Sequence, residues 1–267
     1  MKIELDYNKS LEENASLYFE KSKKARVKSG RIALAIKETE KKLGKAKQSQ
    51  EQKETAVFKK RTRSWFEKFH WFFTSEGFMV IGGRDAKSNE TIVKKLMKKE
   101  DVYFHADVHG APHTILVTGG KKPSEKSLDE AAIFAASFSK AWAEKISAVD
   151  VYSAKPEQVS KSAPTGESIG TGAFMIYGKR DWFKKTPLDF AMGFKEKEGT
   201  LELVSGPKSA VKKNSDFLVK IVFGKASKGE IAKQIRGIFS KKLGKKAELS
   251  EDDLISLLPS GSLKIQE

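Results

Sequence analysis

From Leu11 onward, uncharged residues recur at alternating steps of four and three: Leu11, Ala15, Tyr18, Ser22, Ala25, Ser29, Ile32, Ile36, Thr39, Leu43 and Ala46. Each seam position avoids charge, although lysines crowd the positions between them. A period of 3.5 held over about five heptads is that of a coiled coil, so the stretch is committed to helix with one seam to be covered. Several seam residues are Ala or Ser, so a partner helix would approach closely and bury little. Gly44 precedes a short polar stretch and Ser49 to Phe69 reads as a second helix, which predicts an antiparallel hairpin. Thirty-odd helical residues at ~1.5 Å each would project on the order of 50 Å.

The charge follows the same division. The 267 residues carry 51 Lys plus Arg against 35 acids, a formal net charge of +16. Between Lys21 and Arg63 there are 16 basic residues and four acids, so about one sixth of the chain holds three quarters of the excess. Such asymmetry predicts two parts with different jobs. A polyanionic partner is expected, nucleic acid ahead of an acidic membrane or protein. A solvated helix whose lysines only maintain solubility is the alternative, but mixed charge would serve that end better. Absence of cysteine excludes disulfide scaffolds, Cys-ligated metal centres and thiol catalysis. No apolar run approaches the ~18 residues of a membrane span, and acids stand near the N-terminus where a signal peptide has its apolar core. A cytoplasmic location away from membranes is expected.

After Phe69 the pattern turns extended. His70–Thr74 and Phe78–Ile81 flank Ser75-Glu76-Gly77 as a hairpin, and a helix is predicted after Ser88 from Ile92, Val93, Leu96 and Met97. Val102–His105 and Thr114–Val117 read as strands, and a long helix after Ser127 runs to Ile146. Further strands are predicted at Ala148–Tyr152, Ala173–Tyr177, Leu201–Val204 and Phe217–Phe223, then helices from Lys228 to Lys242 and from Glu251. The fold class is α+β: a helical hairpin over 1–68, a mixed and mostly antiparallel sheet domain with packed helices over 69–195, and strands and a basic helix over 196–267 packed on the same domain.

Three of the four histidines fall in nine residues, His105-Ala-Asp-Val-His109-Gly-Ala-Pro-His113. With Asp107 they could bind a divalent metal, move protons, contact RNA or a ligand, or simply pack a turn. Gly110 and Pro112 break any helix that would bring the rings together, so no metal is expected. The glycine clusters at Gly82-Gly83, Gly119-Gly120 and Gly166 to Gly172 match neither a P-loop nor a dinucleotide fingerprint, so nucleotide hydrolysis is unsupported and no cofactor is expected. The third cluster, after Lys161-Ser162-Ala163-Pro164, could hold a phosphate through backbone N–H groups or be a plain connecting loop. Trp65, Phe66, Phe69, Trp71, Phe72 and Phe73 could stack on bases, but their spacing favours core. No catalytic constellation is assignable from spacing.

Several blocks resemble one family. Trp65-Phe66-Glu67, then Phe78–Asp85 with Asn89-Glu90, then Asp101–Ala111, and finally Val159–Glu167 leading into Thr171–Lys179, are similar in order to the NFACT-R domain. The stretch from Asn14 through Lys24 onward resembles the coiled-coil middle region of the same NFACT proteins, so the resemblance covers about residues 6 to 195. It implies a role in ribosome-associated quality control, with binding to the large ribosomal subunit carrying an obstructed peptidyl-tRNA. Family members of full length begin with NFACT-N and helix–hairpin–helix regions that this sequence does not contain. The resemblance thus implies a fragment, or a form working beside a separate NFACT-N protein.

On this basis the expected RNA contacts are Lys24, Arg26, Arg31, Lys59, Lys60, Arg61 and Arg63 on the hairpin. On the sheet domain they are Arg84, Asp85, Asn89, His105, Asp107, His109, Lys161, Thr165 and Lys179. The expected partners are large-subunit ribosomal RNA and tRNA. Two other readings stay open: an RNA-processing or RNA-modifying enzyme using His105, Asp107 and His109, and a scaffold for a separate NFACT-N partner.

Overall fold

The structure is a computed structural model that describes residues 4–51, 64–162, 169–197, 200–243 and 249–266, with backbone alone over 41–51 and at 197 and 200. The chain forms two compact units, Met1–Ala56 and Val57–Glu267.

The first unit is dominated by helix α1, Leu11–Glu51. Its start is written in Ser10-Leu-Glu-Glu13: the Ser10 N–H donates to Glu13 Oε2 at 2.8 Å and the Glu13 N–H to Ser10 Oγ at 3.2 Å, a reciprocal cap. Residues 4–9 fold back over the first turns. Buried Asn14 accepts from the Asp6 N–H at 2.9 Å and donates to the carbonyls of Asp6, Lys9 and Ser10. Tyr18 donates to the Glu4 carbonyl at 2.7 Å. The helix runs on through Gly44, where the sequence predicted a turn. One glycine among Lys, Ala, Gln and Ser does not stop a helix that has no proline. Most of the expected second helix lies outside the described residues. Its final turn, Trp65–Lys68, is a short 3-10 turn, and strand begins at His70. Among the described residues of α1, seam positions such as Leu11, Ile32 and Ile36 are exposed.

The second unit is built on a six-stranded antiparallel sheet. Its strands are β1 (His70–Phe73), β2 (Met79–Gly82), β3 (Val102–Ala106), β4 (Thr114–Val117), β5 (Ala148–Ala154) and, beyond two short strands, β8 (Asp181–Pro187). The spatial order is β1-β2-β4-β3-β5-β8. Strand periodicity sends successive side chains to opposite faces, and both faces are covered. Phe72, Val80, Leu116, Phe104 and Val151 face helix α3, Glu125–Ser137. Ile81, Ile115, Tyr103 and Tyr152 join a second cluster with Phe69, Ile92 and Val93. The short ribbon of β6 (Val159–Ser160) and β7 (Met175–Ile176) adds Val159, Phe174 and Ile176 to that second face.

The expected β1–β2 hairpin is present, with Gly77 at φ +88° in its turn, where a side chain would be strained. The long helix predicted from Ser127 to Ile146 begins earlier and breaks. Ser124 caps it, and the Ser139 hydroxyl takes the Ala136 carbonyl at 2.6 Å, ending α3 before a short α4, Ala141–Glu144. Lys145, at φ +58°, closes α4. Of the strand predicted at Ala173–Tyr177, Met175 and Ile176 are paired, with Val159 and Ser160.

A four-stranded antiparallel sheet follows: β9 (Phe190–Lys197), β10 (Thr200–Pro207), β11 (Phe217–Ala226) and β12 (Leu263–Gln266), ordered β10-β9-β11-β12. Helices α6 (Lys228–Leu243) and α7 (Glu251–Leu257) lay Ile231, Ile235, Phe239 and Leu254 against it. Both sheets share one core with α3. Asn214, at the end of α5 (Lys208–Asn214), donates to the Phe73 carbonyl at 2.9 Å. Buried Glu130 of α3 accepts from the Ser75 N–H and the Ser209 hydroxyl, both at 2.7 Å.

Candidate nucleic-acid interface

The side chains with chemistry to offer gather on the second face of the large sheet. Register puts Trp182 opposite Tyr152, and Tyr152 opposite His105. The rings follow as a row: Trp182–Tyr152 centroids are 5.3 Å apart, Tyr152–His105 5.9 Å, His105–His113 4.8 Å and His113–Phe174 5.2 Å. Cations lie over it. The Arg180 guanidinium stands 4.6 Å from the Tyr152 ring centre, Lys184 Nζ 4.1 Å from Trp182 and Lys161 Nζ 4.9 Å from Phe174. Trp182 is 40% exposed at one end of the row, whereas Tyr152 and His113 are buried.

The histidine turn is resolved by its hydrogen bonds. The Tyr103 hydroxyl is hydrogen-bonded to His113 Nδ1 at 2.5 Å, and His105 Nδ1 pairs with the Pro112 carbonyl at 3.1 Å. Burial, followed by the neighbouring His105, pushes the His113 imidazole down to about 3. Burial also lowers His105, opposed by the Pro112 carbonyl and by Asp107. Burial holds Tyr103 well above the usual phenol range, so its hydroxyl stays protonated. His105 and His113 are therefore stacked, neutral rings whose Nδ1 atoms are engaged, while Asp107 and His109 are exposed on the turn. Among the described residues, no group of three or more His, Asp or Glu is arranged to hold a metal.

The other expected contact residues divide by what their side chains already do. Arg84 reaches back to the carbonyls of Glu67 at 3.3 Å and Phe69 at 3.0 Å, strapping the 3-10 turn to the end of β2. Asp85 caps helix α2, Ala86–Thr91, accepting from the Ser88 N–H at 2.7 Å, and those bonds lower its carboxyl. Asn89 accepts the His113 N–H at 3.1 Å over Gly83, where any Cβ would collide with it. Lys161 donates to the Gly170 carbonyl at 2.8 Å and the Ala173 carbonyl at 3.1 Å, and lies 3.7 Å from Glu90. Lys179 is exposed, and its own carbonyl accepts from Gln158 Nε2 at 2.7 Å. Lys24, Arg26 and Arg31 are exposed on α1. Lys59, Lys60, Arg61, Arg63 and Thr165 lie outside the described residues.

Sequence reasoning passed over Tyr152, Arg180, Trp182 and Lys184. The only signal was the spacing of Trp182 and Lys184 two residues apart in the strand Asp181–Pro187, which pattern alone does not reveal. It also passed over a groove of about 500 Å³ floored by Met97, Pro156, Val159 and Phe174. Lys94, Lys98, Lys99 and Lys161 rim that groove, with Glu157 as its acid.

Residues 68–178 match the family described as NFACT protein RNA binding domain. The chain is 38% identical over 206 residues to the archaeal Rqc2 homolog aRqcH of Methanocaldococcus jannaschii, covering 77% of this chain and 30% of that protein. It is 39% identical over 188 residues to the human ribosome quality control complex subunit NEMF, covering 68% and 17%. With the Drosophila melanogaster NEMF homolog it shares 42% identity over 149 residues, covering 55% and 15%. The chain thus spans less than a third of the length of these relatives. Through residues 68–178, which the RNA-binding domain occupies, the chain belongs to the NFACT family.

Proposed function

We propose that the chain is an RNA-binding component of ribosome-associated quality control that docks on the large ribosomal subunit, on tRNA, or on both, in stalled nascent-chain complexes. The observation that carries this reading is the family match over 68–178, together with relatives named for ribosome quality control. Charge supports it: exposed Lys24, Arg26 and Arg31 stand on a 41-residue helix, in the segment that holds most of the chain's positive excess. Phosphate contacts release counterions, so cations of this kind supply affinity without sequence choice. The sheet domain would supply the selective part, since rings and cations together suit unpaired bases.

Co-sedimentation with purified large subunits at rising salt tests the proposal. Binding is expected to weaken steeply between 50 and 200 mM salt, as counterion release requires (~10³-fold or more for six or more phosphate contacts). Charge reversal of Lys59, Lys60, Arg61 and Arg63 to Glu is expected to abolish it. Pelleting that ignores both changes overturns the reading.

A further inference from the structure

We infer that the groove rimmed by Lys98 and Lys99 is a binding site for an unpaired nucleotide of RNA: the base lies on Met97 and Phe174, and its flanking phosphates meet the two lysines. The inference rests on the RNA-binding reading above and adds where, and in what form, the RNA is held.

The groove is built by two local devices. After α2 the chain widens into a π-turn, Ile92–Leu96, closed by the Met97 N–H donating five residues back to the Ile92 carbonyl at 2.9 Å. Such turns are rare and are enriched at functional sites. The turn ends with Met97 in extended conformation, and the Met97 side chain lines the groove. The next turn is pinned by a buried carboxylate. Asp101 accepts the Lys98 N–H at 2.8 Å and the Thr118 N–H at 3.0 Å, and Thr118 donates its hydroxyl to the Glu100 carbonyl at 2.8 Å. Lys98 and Lys99 are therefore exposed ammonium groups on a rigid backbone.

The opposite wall is equally fixed. Glu90 accepts the Gly172 N–H at 3.1 Å, pairs with Lys94 at 2.5 Å and lies 3.7 Å from Lys161, and these bonds hold its carboxyl below the usual range. Lys161 is thereby held over Phe174, whose ring is both groove floor and the end of the aromatic row. Lys94 and Lys161 are engaged by Glu90, so Lys98 and Lys99 are the ammonium groups that the rim offers an anion, beside Glu157, whereas the floor is apolar. A flat apolar body carrying phosphates satisfies both halves, and a volume of about 500 Å³ falls in the range of small-molecule sites. Duplex RNA presents its phosphates but hides its base faces, so the floor selects single strands. Every lining residue falls within 68–178, the span of the RNA-binding domain.

The test uses the full chain with a single-stranded RNA oligonucleotide carrying 4-thiouridine, and with a duplex of equal length. Ultraviolet cross-linking of the single strand is expected to place the thiobase on peptides containing Met97 or Phe174. Lys98→Ala with Lys99→Ala is expected to weaken single-strand binding about tenfold and to lower the salt slope by about one to two. Met97→Ala is expected to weaken the single strand several-fold and to leave the duplex within twofold. Lys212→Ala with Lys213→Ala removes the same charge from α5 and is expected to change neither. RNA bound normally by all variants, or cross-links found only elsewhere, overturns the groove while the RNA-binding reading stands. A wild-type chain that binds no RNA overturns both.

Discussion

At the scale of single residues, the histidines set the chain's response to acid. His113 is neutral in the folded state because it is buried, with His105 beside it. His70 of β1, stacked on Phe138 at 4.0 Å, is likewise pushed down to about 3, by burial first and then by Arg84 and Lys228. Their folded values lie below the unfolded value of ~6.5, so the unfolded chain takes up protons first as pH falls. Stability is full above ~6.5 and declines below it, by as much as about 1.4 kcal/mol per pH unit for each ring, until the folded values are reached. Urea unfolding at pH 7, 5.5 and 4.5 is expected to show this decline before ordinary carboxylates titrate. His113→Asn lowers stability at pH 7 but is expected to reduce the slope by one proton's worth. An unchanged slope would mean that the ring is protonated in the folded state.

At the scale of elements, the contact between α2 and the β6–β7 ribbon decides whether the second face of the sheet stays covered. Gly172 is at φ +78°, and a Cβ there would lie 2.5 Å from Ala86 Cα, a backbone atom with no freedom to retreat. Gly172→Ala is therefore expected to cost about 2 kcal/mol or more, from left-handed strain and displacement of the ribbon. It should also lose the Gly172–Glu90 bond and with it the placement of Lys161. A fall in melting temperature of several degrees is the readout; a neutral change would show that the ribbon is not docked as described. This ribbon also marks the limit of what the sequence discloses. Short runs of β-branched and aromatic residues bounded by turn formers, such as Val102–Ala106 and Thr114–Val117, are legible from pattern alone. Strand β8 is not, because Lys184-Lys185 breaks its alternation. Asp150 accepts the Lys185 N–H at 2.8 Å and pairs with Lys184 at 2.8 Å, stabilising Lys185 at φ +52° where the pairing with β5 is irregular. The site was half legible for the same reason. The histidine turn stands out in sequence, but its neighbours Tyr152, Arg180 and Trp182 come together only through register. Conversely, Asp85 and Asn89 look like exposed contact residues, yet their side chains cap a helix and hold a backbone N–H.

At the scale of the whole molecule, the chain offers phosphates the exposed cations of a long helix and a sheet domain that adds rings and a groove to its own. The two kinds of surface leave different signatures in binding. Replacing Lys24, Arg26 and Arg31 together with Ala takes away three exposed cations, and surface substitutions of this kind change stability by only about ±0.5 kcal/mol each. If each touches a phosphate of the large subunit, the slope of log affinity against log salt falls in magnitude by about two to three, at every salt concentration and for every RNA sequence. Trp182→Ala acts at the other surface: it deletes the exposed end of the aromatic row and removes no charge. Its expected effect is a loss of single-strand affinity of fivefold or more, since stacking on one base contributes about 1–3 kcal/mol, with the salt slope unchanged. Titrations of both variants from 50 to 200 mM salt separate the two contributions. Should the helix variant keep the wild-type slope, or the Trp182 variant change it, affinity and choice would not be divided between helix and sheet in this way.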